Sequence, residues 1–216
     1  MGQTPAGSVP AWFWGRHGLM GDLLRGQSLL PQTPCRVSPC CQTPHVSDIR
    51  LEPLGEAHLA DVAVMFDDED VLRYTRIPDP VPTGWEREWL GFYEDGRREG
   101  TREAFAVVHA DDGSFLGLGL AFDIDREGRQ LELGYVVSPR ARGRGVATRT
   151  LELLTDWAFA ELDALRIALW ISAENEPSKR VATNAGYRYE GTLRSFHFKQ
   201  GMRDDFEVWS RLPTDG

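Results

Sequence analysis

Four arginines and two glycines fall within ten residues of the sequence, between Arg140 and Arg149, and this combination could hold phosphate groups. Gly143 and Gly145 give the backbone access to left-handed turns and let a ligand approach closely. An apolar pattern of helical period begins at Val146, and the first N–H groups of a helix have no partners inside it. A turn of this kind before a helix binds phosphate. A plain strand–helix turn with surface arginines would give the same pattern.

Three kinds of phosphate loop compete for this segment. A Walker A loop needs Gly-Lys followed by Ser or Thr, and no lysine of the chain follows a glycine, so that kind is excluded. The dinucleotide fingerprint needs a third glycine where this sequence has Thr148, and it belongs to a parallel βαβ unit. The pattern that remains is Arg/Gln-x-x-Gly-x-Gly/Ala, which Arg140, Gly143 and Gly145 match.

Strand and helix patterns alternate around this loop. They predict strands at Ile49–Leu54, Ala104–Val108, Phe115–Phe122, Gln130–Val137, Leu165–Ile171, Tyr187–Phe198 and Asp205–Leu212, and helices at Glu56–Phe66, Val71–Ile77, Thr83–Gly96, Val146–Leu162 and Asn175–Ala185. Thr83 and Glu86 form a capping-box pattern, and Gly186 is expected to end the last helix in the left-handed conformation. The order predicts an α/β (α+β) fold, with a mixed sheet flanked by helices in a single domain.

Residues 1–47 differ in composition and are expected to be a disordered extension outside the fold. They hold all three cysteines and much Pro, Gly, Ser, Gln and Thr, which together bury too little apolar surface to offset chain entropy. The apolar stretch Ala11–Leu24 could form a short helix, but Arg16 interrupts it and no basic start precedes it, which argues against a signal peptide. The cysteines and His45 lack the paired spacing of common zinc sites, so no metal is predicted. We expect a chain that begins at Val46 to keep the fold.

The charge and the apolar pattern exclude several kinds of partner. A formal net charge of −9 argues against nucleic-acid binding through a broad basic surface. No apolar run approaches the length of about 18 residues that a transmembrane helix needs, so no membrane partner is expected. No cysteine follows the first 47 residues, so neither disulfides nor thiol catalysis is expected there, and a cytoplasmic location is predicted.

Five sequence blocks follow one another in the second half of the chain. They are Leu133–Val137, Arg140–Ala147, Leu153–Phe159, Asn175–Ser178 and Asn184–Arg194. Together they resemble the GNAT superfamily of N-acetyltransferases, closest to its RimJ/RimL-like ribosomal-protein branch. The resemblance implies a GNAT domain at residues 48–213, with a central sheet that splays open next to the loop. It also implies that acetyl-CoA lies in the opening and that the acetyl group moves to a primary amine.

The resemblance further implies which groups would hold acetyl-CoA. Backbone groups of Val136, Val137 and Ser138 would hold the pantetheine arm, and Asn175 would face it. The pyrophosphate would be held by the loop and the start of the following helix, at Arg140, Arg142, Gly143, Arg144, Gly145, Val146, Ala147 and Thr148. A Cβ at either glycine would collide with phosphate oxygens.

The family's reaction is direct attack of an amine on the thioester, and it needs a base. Glu132 lies in the strand before the loop, on one face with Gly134 and Val136, whereas the opposite face is apolar and predicted to be core. This glutamate resembles the base that the family uses through water. The alternative is a solvated charge at the edge of the sheet.

The departing thiolate needs a hydrogen-bond donor. Many members of the family have a tyrosine donor seven residues after the position of Asn175, but this chain has Ala182 there. In the RimJ/RimL-like branch a serine takes that task, and the matching residue is Ser178. The alternative for Asn175 and Ser178 is a capping role at the start of the helix.

The acceptor amine is the least specified part of the reaction. An acidic rim for a cationic amine could form from Asp67, Asp68, Glu69, Asp70, Asp204, Asp205 and Glu207, or these could be only a solvated face. We expect a protein N-terminus or a small-molecule amine, with a preference for a peptide α-amine, and a monomer or homodimer. A non-catalytic acyl-CoA-binding regulatory module is the alternative function, and it would need neither Glu132 nor Ser178.

Overall fold

One seven-stranded sheet organises residues 49–215, the part of the chain that the computed structural model describes. The strands are β1 (Ile49–Pro53), β2 (Glu103–His109), β3 (Phe115–Asp125), β4 (Gln130–Val137), β5 (Arg166–Ser172), β6 (Arg188–Lys199) and β7 (Met202–Arg211). They lie in the order β1-β2-β3-β4-β5-β7-β6, and β4 with β5 is the one parallel pair in this part of the chain. The predictions for residues 1–47 lie outside the described residues.

Five α-helices accompany the sheet over the same residues. They are α1 (Leu59–Phe66), α2 (Glu69–Tyr74), α3 (Trp85–Glu99), α4 (Val146–Glu161) and α5 (Glu176–Asn184). Each predicted strand and helix is therefore present, with ends displaced by a few residues, and the predicted mixed fold is confirmed. Within 49–215, no helix is both long and apolar enough to cross a membrane.

Local signals at helix ends were predicted with mixed success. The capping box of Thr83 and Glu86 is wrong, because α3 begins one residue later, after Gly84 at φ 79°, and no side chain caps it. The other end signals are confirmed. Asn175 caps α5 by accepting a hydrogen bond from the Ser178 N–H at 3.1 Å, and Gly186 follows that helix at φ 78°.

The sheet divides in the middle, between β4 and β5. These strands are paired at three positions only, the last of which joins Glu132 to Ala168. Beyond that point β4 continues to Val137 with β3 as its neighbour, and β5 continues to Ser172 with β7 as its neighbour. The facing edges of β4 and β5 are therefore unpaired, and we call the space between them the opening. The predicted splay of the sheet is confirmed.

Apolar layers cover both faces of the sheet. One contains α1 and α3 and packs around Phe66 and Tyr93. The other contains α4 and α5 and packs around Leu151 and Leu154. Because side chains alternate along β4, Glu132 faces the first layer. The sequence predicted a core on the opposite face of β4 only, whereas the structure covers both.

Candidate active site

The loop before α4 has the backbone geometry of an anion site. Gly143 lies at φ 72° and Gly145 at φ 78°, both in the left-handed region that glycine favours. Gly145 is the last residue before α4, and no side chain caps that helix start. The first N–H groups of α4 therefore remain available to an anionic ligand. Ala141 and Val146 anchor the loop in a small apolar cluster, which fixes its position beside the opening.

The four loop arginines divide into two groups. Arg142 forms ion pairs with Asp68 at 2.5 Å and Asp70 at 3.0 Å, and Arg149 forms one with Glu152 at 3.2 Å. No described residue pairs with Arg140 or Arg144, and both are exposed. The arginines that can reach a phosphate without breaking an ion pair are therefore Arg140 and Arg144. Arg142 instead ties the loop to the start of α2.

Several residues of the predicted acidic rim form hydrogen bonds or ion pairs with other residues of the protein. Asp68 accepts a hydrogen bond from the Val71 N–H at 3.1 Å and so caps α2. Burial alone would raise the pKa of Asp68, but the hydrogen bonds from Arg142 and Val71 hold it below its ordinary value. Asp205 accepts from the Ser195 N–H at 2.6 Å, and Glu207 pairs with Lys179 at 3.4 Å.

Glu132 occupies the point at which the sheet divides. Its neighbour on β3 is Phe122. The Phe122 ring packs closely over Gly134, since a Cβ added to Gly134 would lie 2.9 Å from Cε2 of Phe122. Burial raises the pKa of Glu132 to about 7, Arg76 lowers it in part, and Asp123 raises it further. A carboxyl with a pKa near neutrality can accept a proton and release it at physiological pH. The alternative of a solvated edge charge is wrong, because β4 is a central strand and Glu132 is half-buried.

Ser178 lies on the other face of the sheet, at the start of α5. Its hydroxyl is 2.7 Å from the hydroxyl of Tyr135 on β4, and both side chains are half-buried. Burial raises the pKa of Tyr135 to about 12, and the hydrogen bond to Ser178 opposes that effect. The capping oxygen of α5 comes from Asn175, so the Ser178 hydroxyl has no capping role. Ala182 is fully buried in the core, where it offers no donor.

The two candidate groups therefore flank the opening from opposite faces of β4. Glu132 faces the α3 layer, whereas Tyr135 faces the α5 layer and meets Ser178 there. A thioester held in the opening would have a base on one side and a hydroxyl on the other. Direct attack of an amine on a thioester needs a group that accepts a proton from the amine and a group that stabilises the departing thiolate.

The strand edge proposed for the pantetheine arm is partly occupied by the protein itself. The Ser138 N–H donates to the Leu116 carbonyl at 2.9 Å, and the Val137 carbonyl accepts from Nε of Arg142 at 3.3 Å. The Ser138 N–H is therefore not free to bind a ligand. The unpaired edge of β4, the left-handed glycines and the uncapped start of α4 together fit an extended ligand that ends in phosphates.

The sequence analysis missed four residues near the opening. They are Trp170, Phe196, Arg76 and His197. An aromatic wall lies along β5 and β6, with the Trp170 and Phe196 ring centroids 4.7 Å apart. Arg76 has no hydrogen-bond or ion-pair partner among the described residues, and its charge acts on both Glu132 and His197. Burial and Arg76 lower the pKa of His197 below its ordinary value. These side chains come from distant segments, and no local pattern marks them.

Metal ligation has no support in the described part of the chain. No group of three or more His, Cys, Asp or Glu side chains within 49–215 is arranged to hold a metal ion. The sequence analysis predicted no metal site at the cysteines and His45, and these residues lie outside the described part of the chain.

Comparison with known proteins agrees with this geometry. The model of the acetyltransferase (GNAT) domain family matches residues 48–188. The spermidine N(1)-acetyltransferase of Escherichia coli strain K12 is 27% identical over 159 residues, which cover 74% of this chain and 83% of that protein. YdaF of Bacillus subtilis, provisionally named a ribosomal N-acetyltransferase, is 27% identical over 190 residues, which cover 82% of this chain and 96% of YdaF.

Solved structures share the fold. Spermidine N-acetyltransferase of Vibrio cholerae, solved with CoA and spermine, matches with a TM-score of 0.69 at 20% identity, over 77% of this chain and 96% of that chain. RimL, a ribosomal-protein α-N-acetyltransferase solved with coenzyme A, matches with a TM-score of 0.71 at 15% identity, over 78% of this chain and 96% of that chain. The split sheet, the glycine loop and the family match over more than half of the chain lead to one conclusion: the chain belongs to the GNAT family of acetyltransferases and is an N-acetyltransferase that uses acetyl-CoA.

Proposed function

We propose that residues 48–213 acetylate a primary amine with Glu132 as the general base and Ser178 as the hydrogen-bond donor to the departing thiolate. The observation that carries this proposal is the position of the two groups on opposite faces of β4 at the opening, with the pKa of Glu132 raised to about 7. Glu132 takes a proton from the ammonium group of the acceptor, and the neutral amine then attacks the thioester carbon. Ser178 stabilises the charge that develops on sulfur as the C–S bond breaks. No nucleophile of the protein itself is needed.

We propose that acetyl-CoA is held by three features of the chain. The N–H groups from Gly143 to Thr148 meet the pyrophosphate, because the helix start is uncapped and the glycines allow close approach. Arg140 and Arg144 add side-chain contacts to phosphate. Val136 and Val137 on the edge of β4, with Asn175 across the opening, line the path of the pantetheine arm. Acetyl-CoA supplies the activated acetyl group, and the protein supplies its orientation.

We propose a peptide or protein α-amine as the acceptor, in the cytoplasm, in preference to a polyamine. Three carboxylates that could bind a polyamine are already paired within the protein, because Asp68 and Asp70 pair with Arg142, and Glu174 pairs with Arg73 at 2.8 Å. Arg76 places a further positive charge near Glu132, which disfavours a polycation. The aromatic wall at Trp170 suits the apolar part of a peptide N-terminus.

An acceptor panel tests this proposal. Short peptides with free N-termini, spermidine and an aminoglycoside are supplied with acetyl-CoA, and released thiol is followed together with the mass of the product. We expect kcat/KM to be at least tenfold higher for the best peptide than for spermidine. Equal or better turnover of spermidine would contradict the peptide assignment and leave the acetyltransferase reaction intact. Tight binding of acetyl-CoA with no amine-dependent release of CoA for any acceptor would instead favour the binding-module alternative.

Ser178→Ala is expected to lower kcat by about 10- to 100-fold, which corresponds to roughly 1.4–2.8 kcal/mol. The affinity for acetyl-CoA should change little, because the lost interaction forms mainly as charge develops on sulfur. Steady-state kinetics with the best acceptor give both values. Thr183→Val on the same helix is the matched control, since it removes a hydroxyl that bonds only to the Lys179 carbonyl at 3.0 Å. A normal kcat in folded Ser178→Ala would remove Ser178 from the mechanism.

A further inference from the structure

Tyr135 and Ser178 form a hydroxyl pair that crosses the opening. Tyr135 extends from the unpaired part of β4, and Ser178 belongs to the first turn of α5, on the other side of the opening. Their oxygen atoms are 2.7 Å apart, and the Tyr135 hydroxyl also lies 3.5 Å from the Ser178 carbonyl oxygen. Tyr135 is thus placed to contact the group proposed to act on the leaving sulfur.

The Ser178 hydroxyl behaves differently from those of Thr155 and Thr183, two other hydroxyls on the helices of this domain. Serine and threonine in helices usually donate to the carbonyl four residues earlier. Thr155 donates in this way to Leu151 at 2.7 Å, and Thr183 donates to Lys179 at 3.0 Å. Ser178 has its hydrogen bond with Tyr135 instead. When the phenol donates to the serine oxygen, the serine hydrogen remains free to point into the opening.

We propose that Tyr135 is a positioning residue that donates its hydroxyl hydrogen to Ser178 and thereby aims the Ser178 hydrogen at the thiolate of CoA. As the C–S bond breaks, the electron pair stays on sulfur, and the two hydroxyls stabilise it as a chain of hydrogen bonds. Each bond of such a chain polarises the next. This inference rests on the proposed role of Ser178 and adds a second residue to it.

The protons of this chain stay on their oxygens. The pKa of Tyr135 is raised to about 12, whereas an ordinary thiol has a pKa of about 8.5, so complete transfer to sulfur would be unfavourable by more than about a thousandfold. Donation of a hydrogen bond to sulfur does not require this transfer. The pair should therefore lower the pKa of the CoA thiol when CoA is bound, and this effect can be measured without any amine.

The test is the affinity of CoA as a function of pH, compared with desulfo-CoA, which lacks the thiol. If the bound thiol has a lowered pKa, the thiolate binds more tightly than the thiol. Calorimetry should then show that, between about pH 6.5 and pH 9.5, the affinity of CoA rises about three- to tenfold relative to that of desulfo-CoA. A tenfold rise corresponds to one pKa unit. Tyr135→Phe and Ser178→Ala should each lose most of this gain. Tyr135→Phe should also lower kcat about three- to tenfold, with KM for acetyl-CoA within about twofold.

Tyr187→Phe is the matched control for Tyr135→Phe. Its hydroxyl is also 2.7 Å from a hydroxyl, that of Thr155, but in the core beneath α4. Tyr187→Phe should lower the melting temperature about as much, yet keep both the pH-dependent gain and kcat. In the double variant Tyr135→Phe with Ser178→Ala, kcat should be no lower than in Ser178→Ala alone, because the two residues act as one unit.

The possible outcomes separate the two proposals. A pH-dependent gain that survives in Tyr135→Phe would overturn the role of Tyr135 and leave that of Ser178. Absence of any gain in the unaltered protein would overturn the hydroxyl chain as a whole, whatever the acceptor panel shows. The unaltered protein could show the pH-dependent gain in affinity, and both variants could lose it, while no amine is acetylated. That result would count against the proposed acceptor class but not against the hydroxyl pair.

Discussion

Glu132→Gln is expected to lower kcat on the order of 100- to 1000-fold, which is the usual contribution of a positioned general base. The amide keeps the size of the side chain but cannot accept the proton of the attacking amine. In the unaltered protein the rate should fall as the pH drops through about 7, because the protonated carboxyl cannot act as a base. That dependence should be absent in the variant. A pH–rate profile of both proteins with the best acceptor tests this.

The stability of Glu132→Gln provides its control. Because burial raises the pKa of Glu132 to about 7, folding favours the neutral carboxyl, and ionisation of this carboxyl destabilises the protein. The penalty begins to appear as the pH rises above the unfolded value of 4.5 and is complete above about 7. The variant should thus melt at a higher temperature than the unaltered protein at pH 8 and at a similar one near pH 4.5. A lower melting temperature at pH 8 would mean that lost activity reflects damaged packing.

Gly145→Glu is expected to weaken acetyl-CoA binding at least about 100-fold, which is about 2.7 kcal/mol or more. Gly145 precedes α4 at φ 78°, where the free N–H groups of the helix meet the phosphates in the proposed site. A side chain there enters that space, and its negative charge repels the ligand. Calorimetric titration with acetyl-CoA gives the affinity, and far-UV circular dichroism should remain near normal.

Gly100→Glu is the matched control for this change. Gly100 lies at φ 72° after α3, near the end of the sheet away from the loop, and a Cβ there would meet open space. Both variants force a glutamate into a left-handed position, which destabilises each by about 1–2 kcal/mol. Gly100→Glu should therefore lose stability without losing affinity. Equal affinities in the two variants would contradict the phosphate-loop assignment.

Features governed by short stretches of sequence could be predicted well. The apolar alternation around Leu131 and Leu133 predicted β4, since a strand with one apolar face shows that period directly. The Asn175 cap depends on a residue three positions away and was also predicted. The capping box at Thr83 failed because a left-handed glycine competes with it for the same role.

Features that depend on distant packing could not be predicted. The contact of Tyr135 with Ser178 joins residues 43 positions apart, and Tyr135 looked only like a core residue in its strand. The sequence predicted a phosphate contact for Arg142, but it gave no sign of the ion pair with Asp68, which depends on the placement of α2. The pKa of Glu132 is raised because the α3 layer covers its face of β4. The sequence analysis predicted a core on the opposite face only, so it could not predict this shift.

The central claim is that the amine attacks the thioester directly in the opening, without an acetylated form of the protein. The measurement that tests it most directly is CoA release during the first turnovers, with and without the best acceptor, together with the intact mass of the protein. We predict no burst of CoA and no added acetyl mass on the protein without amine, and CoA release equal to acetylated product when amine is present. A burst of CoA equal in amount to the enzyme, accompanied by an acetylated protein that passes its acetyl group to the amine, would contradict it.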